Sequence, residues 1–416
     1  MPEDADRTLL NGLRIRRVPI EGTRAITVLA GFDAGARAEE ADENGIAHFL
    51  EHLVFKGGEA YPTTREINAM GESIGARIDA WTSHDAVIFR VRSRAEVAPQ
   101  AIDLLTDFAG RPRLDPAELD RERGVVIQEI ARTQDRPQDR ADELIERAAF
   151  GDHPLGRSVL GTEERLRAFT RDDVLRFRER NWSGERGLAV LVGNLSAVPP
   201  DDVLANAFGR FPAVEPRQRY AAAPPPAATV LVDEADSRQS HLRLLYRSSI
   251  DPRDRAARAA LVVLRTLLGG SQGSILFDEI REQRGLAYSV SAQDHPLADA
   301  AWIQVSAGLD SNRCVEAYER IREIVAELAA RGPDRRHVER ARSYAAGRRV
   351  LAFENTNVVA DHIAESGILY QEDSDPEAEI AALDAATYED VAALARGLVP
   401  EPALACVGPH SAADFG

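Results

Sequence analysis

Two patterns of apolar residues alternate along the chain and predict a mixture of strands and helices. Apolar and polar side chains alternate over residues 13–20 and 25–31, which is typical of half-buried strands. Apolar residues with helical spacing follow over 46–54, and Gly57 and Gly58 end that run. Asn44 is the predicted cap of this first helix. The same patterns then predict a helix from about 63, strands at 76–83 and 86–91, helices at 97–109, 116–133, 141–150 and 171–180, and a strand at 187–193.

The periodic pattern stops between residues 211 and 228, where the chain is rich in proline and alanine. Stretches of this composition form stiff, extended spacers between domains. We therefore predict an N-terminal domain over residues 1–212, a linker over 213–228 and a C-terminal domain over 229–416.

The pattern restarts after this linker in the same order, with strands predicted at 229–233 and 241–247 and a helix at 255–268. Aligning Gly269 with Gly57 gives an offset of 269 − 57 = 212 residues. At this offset, positions 48, 51 and 52 of the first helix fall on Ala260, Val263 and Leu264. The repeat indicates a duplicated α/β unit in which the second copy of that helix is plain core.

The composition is that of a soluble globular protein and narrows the functional classes. Of the 416 residues, 44% are hydrophobic and 29% charged, which is ordinary for globular domains. No apolar run approaches the roughly 20 residues of a membrane span, and the acidic start of the chain lacks the basic and apolar segments of a signal peptide. We expect no membrane association and a cytoplasmic location. The net charge of −17 disfavours nucleic acids, which are bound by neutralising phosphates.

The first predicted helix carries the spacing H-x-x-E-H in His48, Glu51 and His52. The two histidines are one helical turn apart, so their imidazoles share a face and can bind one zinc ion. Glu51 lies at the same edge of the helix, where it can take a proton from a metal-bound water. The order is that of the inverted zinc-peptidase motif. The five positions alone also fit a helix whose histidines are ordinary polar residues, and a third ligand distinguishes the two interpretations.

The third ligand is expected to be a carboxylate or an imidazole on a separate element, because Cys314 and Cys406 are too few for a cysteine zinc site. Glu129 is the best candidate, since it lies on the apolar side of the helix predicted at 116–133. Glu122 lies two turns earlier (129 − 122 = 7), so both carboxylates point the same way. We predict that Glu129 binds the metal and that Glu122 orients a ligand or moves a proton. Taken singly, each glutamate is typical of a solvated surface.

These residues resemble those of the pitrilysin/insulinase-type zinc peptidases, especially the short branch that includes the mitochondrial processing peptidase and its bacterial relatives. Members carry their third ligand in an E-x6-E helix, and Glu129 follows His52 by 129 − 52 = 77 positions. The resemblance spans nearly the whole chain and implies two homologous α/β halves, each a mixed, mainly antiparallel sheet flanked by helices, which close as a clamshell around a chamber. It also implies one Zn²⁺ per chain. Further matches are Gly156 to Gly161, Phe169-Thr170 with Asn181-Trp182, and Val192-Gly193-Asn194.

The resemblance also assigns substrate-binding residues. Arg281 and Tyr288 match an Arg and a Tyr seven positions apart in active members (288 − 281 = 7), and both side chains can donate to a developing oxyanion. Without the family, Arg281 is equally a solvated helix residue and Tyr288 a strand aromatic. Family members have Asn-Ala in the edge strand that receives the peptide, whereas this chain has Asp79-Ala80 followed by Trp81. We expect β-augmentation at this strand and a preference for basic or hydrophobic residues beside the cut.

Together these features predict a zinc-dependent endopeptidase that hydrolyses extended, unfolded peptides or short protein segments. His48, His52 and Glu129 are the predicted metal ligands, and Glu51 and Glu122 the predicted catalytic acids and bases. Relatives of this length often pair two chains, so we expect a homodimer. The alternative is a non-catalytic or partner-dependent subunit of the same fold that serves binding or assembly.

Overall fold

The structure, a computed structural model, describes residues 6–213, 220–398 and 401–416. The first five residues and residues 214–219 of the predicted linker lie outside the described part of the chain. Within the described ranges, no helix combines the length and apolar character needed to cross a lipid bilayer.

Strands and helices alternate along the chain as the sequence patterns predict. The strands are β1 (Arg7–Thr8), β2 (Arg14–Pro19), β3 (Ala25–Phe32), β4 (Arg77–Thr82), β5 (Val87–Arg94), β6 (Gly187–Gly193), β7 (Val230–Glu234), β8 (Gln239–Ser248), β9 (Ala287–Pro296), β10 (Ala301–Asp310) and β11 (Ala403–Gly408). The helices are α1 (Ile46–Val54), α2 (Thr64–Ser73), α3 (Ala98–Phe108), α4 (Pro116–Gln134), α5 (Pro137–Phe150), α6 (Glu163–Ala168), α7 (Arg171–Asn181), α8 (Asp201–Phe208), α9 (Arg255–Gly269), α10 (Cys314–Arg331), α11 (Arg335–Phe353), α12 (Thr356–Leu369), α13 (Pro376–Ala385) and α14 (Tyr388–Gly397).

Every strand and helix predicted from the patterns is present. The largest difference is at the start of α5, which begins at 137 rather than 141. Pro137 occupies the first turn of that helix, where its missing N–H costs nothing. The short elements β1, α6 and α8 were not predicted, because they are too brief to show a period. No bounds were predicted for the strands and helices that follow α9.

The chain divides into two compact units. Unit 1 combines the residues up to Ile130 with Ser158–Ala221 and Ala352–Asp375. Unit 2 combines Ala131–Arg157 with Ala222–Leu351 and Pro376–Gly416.

In unit 1 the sheet has the strand order β1-β2-β6-β3-β5-β4. Strands β2 and β6 run parallel, and the other neighbours are antiparallel. Strand β3 is buried along nearly its whole length, because α3 contacts it and α12 packs on β3 and β6. Helix α1 packs against β4 and β5, the last two strands at one edge of the sheet. The H-x-x-E-H segment is therefore held beside the edge strand β4.

Unit 2 repeats this topology. Its sheet has the order β7-β11-β8-β10-β9, with β7 and β11 parallel and the other neighbours antiparallel. This is the order β2-β6-β3-β5-β4 of unit 1, strand for strand, so the predicted α+β fold with a duplicated unit is confirmed. In α9, the counterpart of α1, Ala260, Val263 and Leu264 are all buried. The prediction that this helix contributes apolar core residues at the positions of the H-x-x-E-H motif is also confirmed.

Each half of the sequence contributes one helix to the sheet of the opposite unit, and the two helices occupy equivalent positions in the duplicated fold. Helix α5 follows α4, and α12 follows α11, at the same place in the two copies. Yet α5 packs on β7, β8 and β11 of unit 2, whereas α12 packs on β3 and β6 of unit 1. Each unit is therefore completed by a helix from the opposite half of the chain.

Buried contacts hold each exchanged helix in place. Ile145 and Phe150 of α5 join a core cluster with Leu245 and Trp302 of unit 2. At the start of α12, Oγ1 of Thr356 lies 2.8 Å from the hydroxyl of a buried threonine in β3, Thr27.

This exchange differs from the predicted contiguous domains 1–212 and 229–416. The chain does pass from unit 1 to unit 2 between Ala221 and Ala222, inside the predicted linker 213–228. The proline- and alanine-rich composition of this segment predicts where the chain crosses from one unit to the other. It does not reveal on which sheet a helix packs, because an apolar helix face fits either of two similar sheets.

Candidate metal centre

Helix α1 begins in a tightly packed turn. Gly45 is its N-cap and has φ = 96°, in the left-handed region that favours glycine. A Cβ atom at Gly45 would lie 2.7 Å from Cα of Gly161. The N–H groups of Gly45 and Ala47 donate to the carboxylate of Glu39 at 3.0 and 2.9 Å. The predicted capping role of Asn44 is therefore wrong, because a buried carboxylate from the preceding turn accepts these hydrogen bonds instead.

Two imidazoles from α1 and one carboxylate from α4 converge. The rings of His48 and His52 have centroids 4.6 Å apart. Oε2 of Glu129 lies 3.8 Å from Nε2 of His48 and 3.4 Å from Nε2 of His52. Around a tetrahedral zinc ion, such nitrogen and oxygen donors lie about 3.4 Å from one another. The three side chains thus fit one zinc ion, and all three donor atoms lie within 4.8 Å of each other.

Glu122 lies behind this group and contacts His52 from the other side. Its Oε1 lies 2.8 Å from Nδ1 of His52, and its Oε2 lies 2.5 Å from Nζ of Lys56. Burial raises the pKa of Glu122, but the hydrogen bonds from His52 and Lys56 outweigh burial and lower it below the usual value. A carboxylate in this position fixes the imidazole with Nε2 turned toward Glu129, the arrangement common behind metal-binding histidines.

The two histidines have opposite electrostatic environments. Burial, together with the charge on His52, lowers the pKa of His48 to about 4 against the attraction of Glu129, so His48 is neutral near pH 7, as a metal ligand must be. Burial also lowers the pKa of His52, but hydrogen bonds to Glu122 and Glu129 and the charge on Glu51 raise it to about 9. The surroundings of His52 therefore favour a positive charge, which suits a cation-binding site.

Glu51 is buried beside the two histidines and is held by strand β4. The hydroxyl of Thr82 donates to Oε2 of Glu51 at 2.7 Å. Burial raises the pKa of Glu51, while the hydrogen bond from Thr82 and the charge on His52 lower it, and the net shift is upward. A carboxylate with a raised pKa is closer to the value that suits general acid–base chemistry near neutrality.

Strand β4 is an edge strand of the sheet in unit 1, which is the position expected for the strand that receives a peptide. Side chains alternate across a strand, and Thr82 points toward Glu51. Asp79 and Trp81 therefore point to the opposite face, where Asp79 pairs with Arg77 at 3.0 Å and Arg90 stacks over the Trp81 ring. The predicted preference of these two side chains for basic or hydrophobic residues gains no support from this arrangement. What β4 presents at the sheet edge is its main chain, including that of Ala80.

Arg281 and Tyr288 both belong to unit 2. Arg281 lies in a π-helical segment, Phe277–Gln283, and its guanidinium stacks over the ring of Phe277 at 4.8 Å. Tyr288 is on the edge strand β9 and is 62% exposed. Both side chains are open to solvent, and their role as substrate contacts stays a prediction.

Sequence reasoning missed three residues around the centre: Glu39, Lys56 and Thr82. Lys56 is the only lysine of the chain and comes four residues after His52, which is a signal that could have been used. Glu39 and Thr82 have no such signal, because their contacts with α1 depend on how a turn and a strand pack against that helix.

A duplicated α+β unit, with two imidazoles and three glutamates gathered in its first copy, defines a metallopeptidase-type architecture. Two family models match the chain: "Insulinase (Peptidase family M16)" over residues 21–163 and "Peptidase M16 inactive domain" over residues 168–344. The chain belongs to the M16 peptidase family.

Similar proteins span the whole chain. A Bacillus subtilis protein named an uncharacterized zinc protease is 30% identical, with 97% of each chain covered. A Mycobacterium leprae protein of the same description is 32% identical over 97% of this chain and 91% of its own. Among solved structures, a Pseudomonas fluorescens protein described as a peptidase M16 inactive domain has a TM-score of 0.89 at 20% identity, covering 98% of both chains. A protease from Helicobacter pylori has a TM-score of 0.86 at 21% identity, covering 97% of this chain and 99% of its own.

Proposed function

We propose that this protein is a zinc-dependent endopeptidase that hydrolyses extended peptides. The observation that carries the proposal is the convergence of His48, His52 and Glu129 within 4.8 Å beside a buried Glu51. Membership of the M16 family, and relatives named zinc proteases, support the same activity.

In this proposal, His48, His52 and Glu129 hold one zinc ion per chain. Bound there, zinc supplies Lewis acidity and a water of lowered pKa. Glu51 takes the proton of the attacking water and later delivers it to the leaving amine. Glu122, between His52 and Lys56, keeps the His52 ring in its metal-binding orientation.

The proposed substrate is an extended, unfolded segment. The edge position of β4 supports this, because an added strand must have free backbone N–H and C=O groups. Ala80, with Asp79 and Trp81, lies in the part of β4 proposed to pair with the peptide backbone. Arg281 and Tyr288 are proposed to donate hydrogen bonds to the substrate oxygen that becomes negative.

The variant Glu51→Gln tests the proposed chemistry. It preserves shape and one acceptor oxygen but cannot accept a proton, so we expect kcat/KM for an unstructured peptide to fall by roughly 10²- to 10⁴-fold. Zinc content, measured by elemental analysis, is expected to stay at the wild-type level.

A matched control is Glu59→Gln, which changes an exposed glutamate that pairs with Arg111 in the same unit. This variant is expected to keep full activity. Undiminished hydrolysis by Glu51→Gln would remove Glu51 from the mechanism. A wild-type chain that binds zinc and yet cleaves no peptide in a diverse unstructured library would favour the alternative, a non-catalytic or partner-dependent subunit.

A further inference from the structure

Unit 2 contains a second group of metal-binding side chains, formed by Cys314, Cys406 and His410. One ligand atom from each residue lies within 4.8 Å of the other two. Among the described residues, the only other such group is the one around His48. Two cysteines in 416 residues argued against a cysteine-based site, but the fold brings both together and adds a histidine from a third position.

Three separate elements build this group. Cys314 is the first residue of α10, Cys406 lies in β11, and His410 follows the end of that strand by two residues. Strand β11 runs between β7 and β8 in the middle of the sheet, and both cysteines have no exposed surface. The histidine is partly exposed, which leaves the group within reach of solvent ions.

The turn after β11 is shaped to bring the imidazole inward. A Cβ atom on Gly408 would lie 2.5 Å from Oγ of Ser240, so only glycine lets the chain pass this serine. The backbone N–H of His410 donates to the carbonyl of Gly408 at 2.9 Å. Oγ of Ser240 lies 2.8 Å from Nε2 of His410, and the ring of Phe415 packs edge-on at 5.5 Å. The imidazole is therefore held in one orientation by its neighbours.

Two thiols and an imidazole form the donor set that zinc prefers in proteins. Around a tetrahedral zinc ion with Zn–S bonds of about 2.3 Å, two sulfur atoms lie about 3.8 Å apart, which falls within the observed spacing of at most 4.8 Å. Buried cysteines also pack as small apolar side chains, and both belong to the core of unit 2. Apolar packing accounts for the thiols, but not for the imidazole, and the contact with Ser240 engages only one of the two ring nitrogens of His410.

We propose that Cys314, Cys406 and His410 bind a second Zn²⁺ ion at a structural site in unit 2. On binding, each thiol would release its proton to solvent, and the hydrated ion would exchange bound waters for two sulfur atoms and one nitrogen atom. One remaining water would complete four ligands, and the two thiolate charges would neutralise the ion. The site ties the start of α10 to the end of β11, so occupancy stabilises unit 2.

The test uses the full chain carrying His48→Ala and His52→Ala, which removes two ligands of the first centre. Metal-free protein is titrated with Cd²⁺, because cadmium thiolates have a characteristic ultraviolet absorption band. We expect this band to reach saturation at one cadmium per chain and the unfolding temperature to rise as the ion binds. Neither readout needs peptidase activity, so failure of the proposed function and failure of this site are distinguishable.

Substitutions in the same background identify the ligands. Cys314→Ser and Cys406→Ser are each expected to abolish saturable binding, and His410→Gln to weaken it at least roughly tenfold. Because His410 is partly exposed, its variant remains informative if a buried cysteine variant fails to fold. His337→Ala, at an exposed position of α11, is the control and is expected to bind as the parent does.

Three outcomes would overturn the proposal. The first is the absence of a saturable cadmium band, and the second is a band that His410→Gln leaves unchanged, since the thiols would then act without the imidazole. The third is a Cys314–Cys406 disulfide in freshly purified protein, detected by mass spectrometry under non-reducing conditions.

Discussion

At the scale of single residues, the proposed metal centre depends on short contacts that hold side chains in one orientation. Glu122 and Lys56 fix the far side of His52, and Thr82 fixes the carboxylate of Glu51. In the proposed mechanism these supporting groups position His52 and Glu51, and small displacements of a reacting group are costly in rate.

The variant Thr82→Val tests whether this hydroxyl positions Glu51. Valine keeps the shape but cannot donate, so Glu51 loses a hydrogen bond worth about 1.5 kcal/mol. We expect kcat to fall roughly tenfold with little change in KM or zinc content. Thr82→Ser retains the donor and is expected to restore most of the activity. Equal activity of the valine and wild-type proteins would show that Thr82 has no positioning role.

A second residue-scale prediction is that Glu39 makes the free energy of unfolding depend on pH. Burial raises the pKa of Glu39 from 4.5 to about 8, although hydrogen bonds from Ala47, Gly45 and Asn44 oppose the shift. The folded state then binds this proton more tightly than the unfolded state, so the free energy of unfolding decreases as pH rises from about 4.5 to about 8. We expect Glu39→Gln to lose less stability than the wild type over this interval.

The measurement is urea denaturation of metal-free protein at several pH values, in which the difference between the two proteins isolates Glu39. The control Glu59→Gln should have the wild-type pH dependence. If the free energy of unfolding of wild type and of Glu39→Gln changed equally with pH, the N–H groups that donate to Glu39 would be keeping it ionised in the folded protein.

At the scale of elements, the exchange of α5 and α12 links distant parts of the sequence. Each helix follows a long helix in its own half but packs on the sheet of the other unit. The two helices therefore stabilise strands that are far away along the chain. A substitution in either helix should reveal its effect in the opposite half of the sequence.

The variants Ile145→Ala in α5 and Ile363→Ala in α12 test this assignment. Both side chains are fully buried, and each truncation is expected to cost about 2–5 kcal/mol. Hydrogen exchange should accelerate in β8 and β11 for Ile145→Ala, and in β3 and β6 for Ile363→Ala. Arg147→Ala, at an exposed position of α5, should leave exchange unchanged. The reverse pattern would contradict the exchange and favour two contiguous domains.

At the scale of the whole molecule, one architecture occurs twice, and only its first copy carries the residues of the proposed metal centre. Aligning the starts of α4 and α11 (335 − 116 = 219) places Glu122 on Ala341 and Glu129 on Arg348. The second copy thus lacks the acidic pair as well as the histidines of the first. Its own cluster of two cysteines and a histidine has no equivalent in the motif of unit 1.

The proposed assembly is a homodimer, which is a prediction at this scale. Light scattering coupled to size-exclusion chromatography of an active sample should give a mass near twice the 45.5 kDa of one chain. A mass of one chain, eluting together with full peptidase activity, would contradict the dimer.

The sequence alone determined the longer elements up to α9, the duplication and the candidate metal ligands. These features are local or periodic: His48 and His52 share a face because a helix repeats every 3.6 residues, and the same periodicity aligns Glu122 with Glu129. Apolar periods likewise locate strands and helices before any tertiary contact forms.

Only the tertiary structure decided which side chains support that centre and which helix completes which sheet. Thr82, Glu39 and the Cys314–Cys406–His410 group depend on packing between elements far apart in sequence, for which no local period exists. The two sheets have the same topology, so an apolar helix such as α5 or α12 is compatible with either. The place of α5 is fixed by buried contacts such as that between the rings of Phe150 and Trp302, which form only when the chain has folded.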